Sequence, residues 1–270
     1  CLFVVGAAAA VFGSLIGLGG GVIIVPALLY LSPYLFDVPL TTAEVVGTSL
    51  VVLIFTALSS TLTFARQKRI DYKSAFLFFV TSGPGAVAGS LLTGYFDSGW
   101  FQLCFGLFML LMSALIWSRD RMRPLRTSAW KYTRVYTDVT GTRHTYGYNP
   151  LPALLLGFAV GFVSGLFGIG GGSLFVPVLL LLFRYPPHVA TATSMFVILL
   201  SSILGSFTKV FLGEVHFISI LALAPGAVLG GWIGAKIAGR LSSKRLVSVI
   251  FIAFLLLSFR LIWDGIRETF

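Results

Sequence analysis

Apolar runs dominate this chain, and polar stretches between them are short. The runs cover about 2–36, 44–65, 74–95, 99–118, 151–183, 188–211, 216–238 and 244–264. Runs of about 20 to 30 residues without internal charge predict helices that cross a bilayer. A transmembrane barrel would instead show short segments of alternating polarity. One polar stretch is long. Residues 119–150 carry Arg119, Arg121, Arg123, Arg126, Lys131, Arg134 and Arg143, and are too polar to span. The Thr, Tyr and Val content from Val135 to Tyr148, around Gly141, suits a small hairpin. The expected organisation is a first transmembrane repeat at 1–118, a basic cytoplasmic linker at 119–150 and a second repeat at 151–270.

The two flanking parts repeat each other. Residues 17–26 read Gly-Leu-Gly-Gly-Gly-Val-Ile-Ile-Val-Pro, and residues 168–177 read Gly-Ile-Gly-Gly-Gly-Ser-Leu-Phe-Val-Pro. Thr48-Ser49 matches Thr193-Ser194, Ile70-Asp71-Tyr72 matches Val215-His216-Phe217, and Pro84-Gly85-Ala86-Val87 matches Pro225-Gly226-Ala227-Val228. The order is preserved, so the fold class expected is an all-α integral membrane protein made of two homologous repeats of four apolar segments.

The first segment of each repeat is the informative one. Adjacent glycines followed by a proline interrupt a helix. Non-helical backbone at membrane depth is tolerated where protein or a watery cavity surrounds it. Such breaks at matching positions of two halves point to a transporter's binding site. A half-helix to Ile16, an extended tip at 17–25 and a second half-helix from Pro26 are expected, either re-entrant or broken but crossing. Re-entry inverts the halves about a pseudo-two-fold axis. It also places Arg184, Lys236, Arg240, Lys244 and Arg245 on the linker side, leaving Lys209, Arg260 and Arg267 opposite, as the positive-inside rule prefers.

The chemistry that fits the breaks is anion binding. Unpaired N–H groups and the positive end of a half-helix face inward, and glycine lets a ligand approach the backbone. The candidate substrate-binding residues are Gly17, Gly19, Gly20, Gly21, Pro26, Thr48 and Ser49, with Gly168, Gly170, Gly171, Gly172, Pro177, Thr193 and Ser194. Glycines also serve close helix packing, which is the default for Gly85, Gly89, Gly226, Gly230 and Gly234. A polar row follows each Thr-Ser pair: Ser49, Thr56, Ser60 and Thr63, then Ser194, Ser201, Gly205 and Thr208. Its hydroxyls either donate to an anion in transit or bond to neighbouring helices and their own i−4 carbonyls. Lys209 and His188 are candidates for anion contact or proton coupling.

Composition narrows the class. Only 10% of residues are charged and 57% are hydrophobic. The net charge of +10 suggests nucleic acid, but the basic residues sit in short loops between apolar runs, so no nucleic-acid partner is expected. Two cysteines and three histidines offer no metal or disulfide framework. No paired carboxylates or nucleophile motif appears, so the chain is expected not to be an enzyme, with no cofactor and no metal. The start at Cys1 without Met or a basic leader is expected to lie inside a longer chain. The partners expected are a small anionic substrate and the lipid bilayer, with the oligomeric state open.

The duplicated GxGGGxxxVP pattern, the (Ala/Gly)-Thr-Ser that follows and the Pro-Gly-Ala-Val segment together resemble the TauE/SafE family of sulfite exporter-like membrane proteins. The resemblance covers both repeats. It implies export of sulfite or a small organosulfonate such as sulfoacetate across a bacterial cytoplasmic membrane. It also implies that the glycine, proline and Thr-Ser positions named above form the site. The family's acidic-aromatic turn is matched by Asp71-Tyr72, whereas the second copy carries His216-Phe217. On the residues alone, a passive anion channel and a non-transporting membrane scaffold docking through the linker stand as alternatives.

Overall fold

The computed structural model describes all residues except 37, 96–97, 119–130, 138–142, 171–173, 239–242 and 270. Residues 1–118 contain α1 (Leu2–Ile16), α2 (Gly21–Leu35), α3 (Thr42–Arg66), α4 (Tyr72–Leu92), a 3-10 turn (Thr93–Tyr95) and α5 (Ser98–Ser118). An antiparallel hairpin follows, β1 (Tyr132–Thr137) and β2 (Arg143–Tyr148), in register from Tyr132 opposite Tyr148 to Thr137 opposite Arg143. The rest of the chain contains α6 (Pro150–Phe167), α7 (Phe175–Leu181), α8 (Pro187–Phe211), α9 (Phe217–Ala238) and α10 (Ser243–Thr269).

Local chemistry explains the starts. Thr41 and Glu44 form a reciprocal capping box that opens α3 two residues earlier than the apolar pattern suggests. The Asp71 carboxylate accepts the Ser74 N–H and opens α4. Pro150 and Pro187 occupy the first positions of α6 and α8, where no N–H is needed.

Among the described residues, five helices are long and apolar enough to cross a membrane: 42–66, 72–95, 150–167, 187–211 and 217–238. The helices α1 and α2 have 15 residues each. That is about 22 Å, less than the roughly 30 Å hydrocarbon core. Phe207, Leu221 and Leu256 are exposed on the outer surface, as suits a lipid-facing wall.

Glycine stripes set the closest helix contacts. On α9, a Cβ at Gly226, Gly230 or Gly234 would collide with the carbonyls of Phe3, Ala7 and Val11 in turn. On α4, a Cβ at Gly85 or Gly89 would collide with the Phe158 and Phe162 carbonyls. So α1 runs beside α9, and α6 beside α4, each pair in the same direction. Long helices α3 and α8 cross between these pairs, and α5 lies on α10. An aromatic cluster with Phe78 at its centre, touching Tyr148, Phe175 and Phe183, seats the hairpin against α4 and α7.

Candidate functional site

The first break is a tight reversal rather than an extended tip. Gly17 ends α1 at φ 86°, and the N–H groups of Gly17, Leu18 and Gly19 all donate to the Gly13 carbonyl at 2.8, 2.7 and 3.2 Å. Gly20 follows at φ 96°, and a Cβ there would lie 2.7 Å from the Ala9 carbonyl oxygen. Only glycine tolerates both constraints. The chain has thus doubled back along α1 within four residues. Helical bonding resumes at once, with the Ile23 and Ile24 N–H groups both on the Gly20 carbonyl at 3.0 Å. The expected start at Pro26 is therefore corrected: α2 begins at Gly21, and Pro26 lies inside it.

At the second break Gly168 and Gly170 also take positive φ, 69° and 77°. The Ser164 hydroxyl donates to the Gly170 carbonyl. Gly171 and Gly172 lie outside the described residues. Pro177 falls in the first turn of α7 instead of opening it.

The two breaks touch. A Cβ on Gly21 would lie 2.7 Å from the Gly168 carbonyl oxygen and 2.8 Å from the Ile169 Cα. One on Gly17 would lie 2.7 Å from the Val176 side chain. The Thr-Ser pairs then tie each break to the opposite half. Ser49 donates to the Gly168 carbonyl and Ser194 to the Gly17 carbonyl, both at 2.8 Å. Thr48 accepts the His216 N–H at 2.9 Å, and Thr193 accepts the Asp71 N–H at 3.1 Å. All four side chains are fully buried.

The rest of the polar row is internally satisfied in this state. Thr56, Ser60, Thr63 and Thr208 donate to their own i−4 carbonyls. Ser60 also meets Ser14 at 2.5 Å and the Gly231 carbonyl at 3.1 Å, and Ser201 meets Ser82 at 3.1 Å. Between the breaks stand Leu53 and Ile198, both wholly buried. The Leu53 side chain lies 2.7 Å and the Ile198 side chain 3.2 Å from a Cβ placed on Gly19. Both also cover Gly170. Among the described residues, these two side chains fill the space between Gly19 and Gly170.

Among the described residues six buried hydroxyls have no hydrogen-bond partner: Thr61 on α3, Ser113 on α5, Tyr185, and Thr191, Ser202 and Ser206 on α8. Ser202 Oγ lies 2.9 Å from a Cβ placed on Gly170. Unsatisfied buried hydroxyls are uncommon, and several along one helix beside a break suit a solute path. The sequence reading passed over Thr191, Ser202 and Ser206. Their one signal was membership of the Ser- and Thr-rich helix that begins at Pro187.

Lys209 is wholly buried and pairs with Glu214 at 2.5 Å, near Gly47. His188 Nδ1 lies 3.4 Å from the Arg69 guanidinium. Two cavities open near the site. One of about 350 Å³ reaches Pro26 and is lined by Tyr30, Gln102, Asp264 and Arg267. The other, of about 370 Å³, lies under the hairpin and is lined by Lys68, Arg69, Asp71, Lys73, Arg134 and Tyr146. There Asp71 pairs with Arg134 and accepts hydrogen bonds from Ser74 and Tyr146. Burial, and then the Asp71 carboxylate, push the Tyr146 phenol above its ordinary range, against the pull of Arg134.

Comparison with known proteins decides the class. The family model described as sulfite exporter TauE/SafE matches residues 2–261. The chain belongs to the TauE/SafE family. A "Probable membrane transporter protein YunE" of Bacillus subtilis is 45% identical over 98% of this chain and 97% of its own length. A probable membrane transporter protein of Methanocaldococcus jannaschii is 30% identical over 91% of this chain and 88% of its own. "Probable membrane transporter protein YfcA" of Escherichia coli is 26% identical over 98% and 89%. No solved structure gives a significant match. The touching glycine breaks and the hydroxyls around them are thus features of a membrane transporter of the TauE/SafE family.

Proposed function

We propose that this protein exports a small sulfur-containing anion, sulfite or an organosulfonate such as sulfoacetate, by alternating access. The anion binds where the two breaks meet. Backbone N–H groups at the start of α2 and the Ser202 hydroxyl contact it, while Ser49 and Ser194 hold the breaks in place. The observation that carries this reading is the contact of Gly21 with Gly168 and Ile169 beside an unpartnered buried hydroxyl.

The halves are inverted in this reading, with both breaks re-entrant. Support comes from direction. The path from α1 through the reversal at 17–20 returns toward the end it came from, because Phe36, just past α2, meets the His216 ring at 4.6 Å. His216 precedes α9, which runs beside α1 in the same direction. The hairpin face then gathers most Lys and Arg residues, so it is cytoplasmic.

Closure by Leu53 and Ile198 corresponds to an occluded state, and transport requires these side chains to part. An inside-negative potential favours anion export by about 2.3 kcal/mol per charge per 100 mV, so no coupling ion is required on energetic grounds. The test is efflux from proteoliposomes loaded with sulfite or sulfoacetate. Saturable flux that falls at least tenfold in Ser202→Val supports the proposal. Absence of flux for both anions, or flux that never saturates, overturns it, the second result indicating a channel.

A further inference from the structure

The loop between α3 and α4 spends a lysine where its counterpart spends a glycine. After α3, Lys68 adopts φ 55°, with its N–H on the Ala65 carbonyl at 3.0 Å and the Arg69 N–H on the Phe64 carbonyl at 3.3 Å. After α8, Gly213 adopts φ 73°, with its N–H on the Val210 carbonyl at 3.1 Å and the Glu214 N–H on the Lys209 carbonyl at 3.0 Å. The two turns close in the same way. The left-handed position suits glycine and strains a side-chain-bearing residue. A lysine in that position needs a reason beyond the turn.

The reason on view is the cavity of about 370 Å³ beneath the hairpin. Lys68, Arg69, Lys73 and Arg134 line it with one carboxylate, Asp71. That carboxylate is engaged by Arg134, so it does not neutralise the rest. Lys68 and Lys73 form no ion pair among the described residues. Lysines flanking a membrane helix are ordinary on a cytoplasmic face. A strained one, clustered with Arg69, Lys73 and Arg134 around one cleft, is not accounted for by that rule. The roof is fixed: the Gly147 N–H donates to the Phe183 carbonyl at 3.3 Å, and the Tyr146 ring lies 4.3 Å from Tyr185. The floor connects to the centre. The Asp71 N–H bonds to Thr193, and the next residue, Ser194, bonds to Gly17 of the first break.

We propose that this cleft beside the hairpin is a loading site for a small oxyanion, held by Lys68 and Lys73 with Arg69, and linked through Asp71, Thr193 and Ser194 to the first glycine break. It rests on the export reading, in which the hairpin face is cytoplasmic. Lys68 and Lys73 are exposed at the mouth of this cleft, within reach of a dissolved ion or of a lipid headgroup.

The test uses the full chain in phosphatidylcholine nanodiscs and equilibrium binding of radiolabelled sulfite, with sulfate as a second probe. Lys68→Gly supplies the residue that the other turn uses, so it keeps or raises the melting temperature while removing the charge. Saturable binding that weakens several-fold in Lys68→Gly, and about tenfold or more in Lys68→Gly/Lys73→Gln, supports the site. No saturable binding of either ion to the unaltered chain overturns it, as does equal binding by the double variant. Abolition of sulfite binding by added phosphatidylglycerol assigns the charges to lipid headgroups and also overturns it. Lysine-dependent binding without any sulfite efflux leaves the loading site standing and removes the export reading alone.

Discussion

The turn from α3 to α4 and the turn from α8 to α9 have one backbone and two chemistries. Both close through the same pair of hydrogen bonds, and both hand an N–H to a threonine of the other half, Thr193 or Thr48. Beyond that they part. Asp71 is buried against Arg134, Tyr146 and Ser74 beneath the hairpin. The matching His216 bonds to Ser219 at 2.8 Å and stands edge-on to Phe36. The first turn adds Lys68 and Arg69, the second Gly213 and a Glu214 already paired with Lys209. What is duplicated holds the breaks; what differs sets the charge of each mouth.

The shared part is open to the largest perturbation. Gly89→Ala pushes a Cβ into the Phe162 carbonyl, and Gly230→Ala pushes one into the Ala7 carbonyl. Alanine gains roughly 0.5–1 kcal/mol of helix propensity over glycine. Backbone displacement in a close-packed interface costs about 1–3 kcal/mol or more, so the clash wins. Both variants are expected to unfold earlier in detergent, and by similar amounts. Tolerance of one but not the other breaks the equivalence of the α4–α6 and α1–α9 contacts.

Next come the ties between halves. Ser49→Ala strips the Gly168 carbonyl of its hydroxyl donor, and Ser194→Ala does the same to Gly17. Leaving a buried carbonyl without that donor costs about 1–3 kcal/mol. Equal losses in thermal stability, with flux reduced in both, sharpen the comparison. A variant with full stability and lost flux instead makes its serine a direct substrate ligand.

The third contrast is meant to be unequal. Asp71→Asn removes the carboxylate that Arg134, Tyr146 and Ser74 share, whereas His216→Asn loses one hydrogen bond to Ser219. Because Arg134 is 33% exposed, screening limits the loss to about 1–2 kcal/mol. Hydrogen exchange should rise in 132–137 and 143–148 for Asp71→Asn, and not for His216→Asn. The same cluster has an alkaline limb. Tyr146 and Tyr185 have phenols raised chiefly by burial, so the fold favours their protonated forms. That stability is complete below the ordinary tyrosine range near pH 10 and is lost as pH rises above it. Tyr146→Phe removes both the group that titrates and a donor to Asp71, so it should reduce the alkaline loss of hairpin protection and lower that protection modestly at pH 7.

Much of this was legible in the residues. Segment bounds read from apolar runs fall within a few residues of the helices, because a bilayer-length apolar stretch has few alternatives. The hairpin announced itself in the Thr and Tyr content around Gly141, and the breaks in their glycines. What stayed hidden were partners distant in sequence. Nothing local says that Ser49 reaches Gly168, that Leu53 and Ile198 stand between the breaks, or that Arg134 finds Asp71. Pro26 misled for a physical reason. Proline favours the first turn of a helix, but left-handed glycines reverse this chain so sharply that the helix resumes at Gly21 and carries the proline inside.

The smallest effect is the most discriminating. Exchanging the residues of the two turns tests whether Lys68 is retained against the interest of the fold. A side-chain-bearing residue in the left-handed region costs roughly 1–2 kcal/mol. Glycine returns part of that gain, because its unfolded chain has more conformational freedom, worth about 0.4–1 kcal/mol. Lys68→Gly is therefore expected to stabilise by roughly 0.5–1 kcal/mol, and Gly213→Lys to destabilise by a similar amount, as read by thermal unfolding in detergent. Opposite signs from the same exchange mean that the backbone at both turns asks for glycine and only one turn obtains it. Should Lys68→Gly instead destabilise, the lysine is holding the turn or the hairpin, and its charge needs no ligand to explain it.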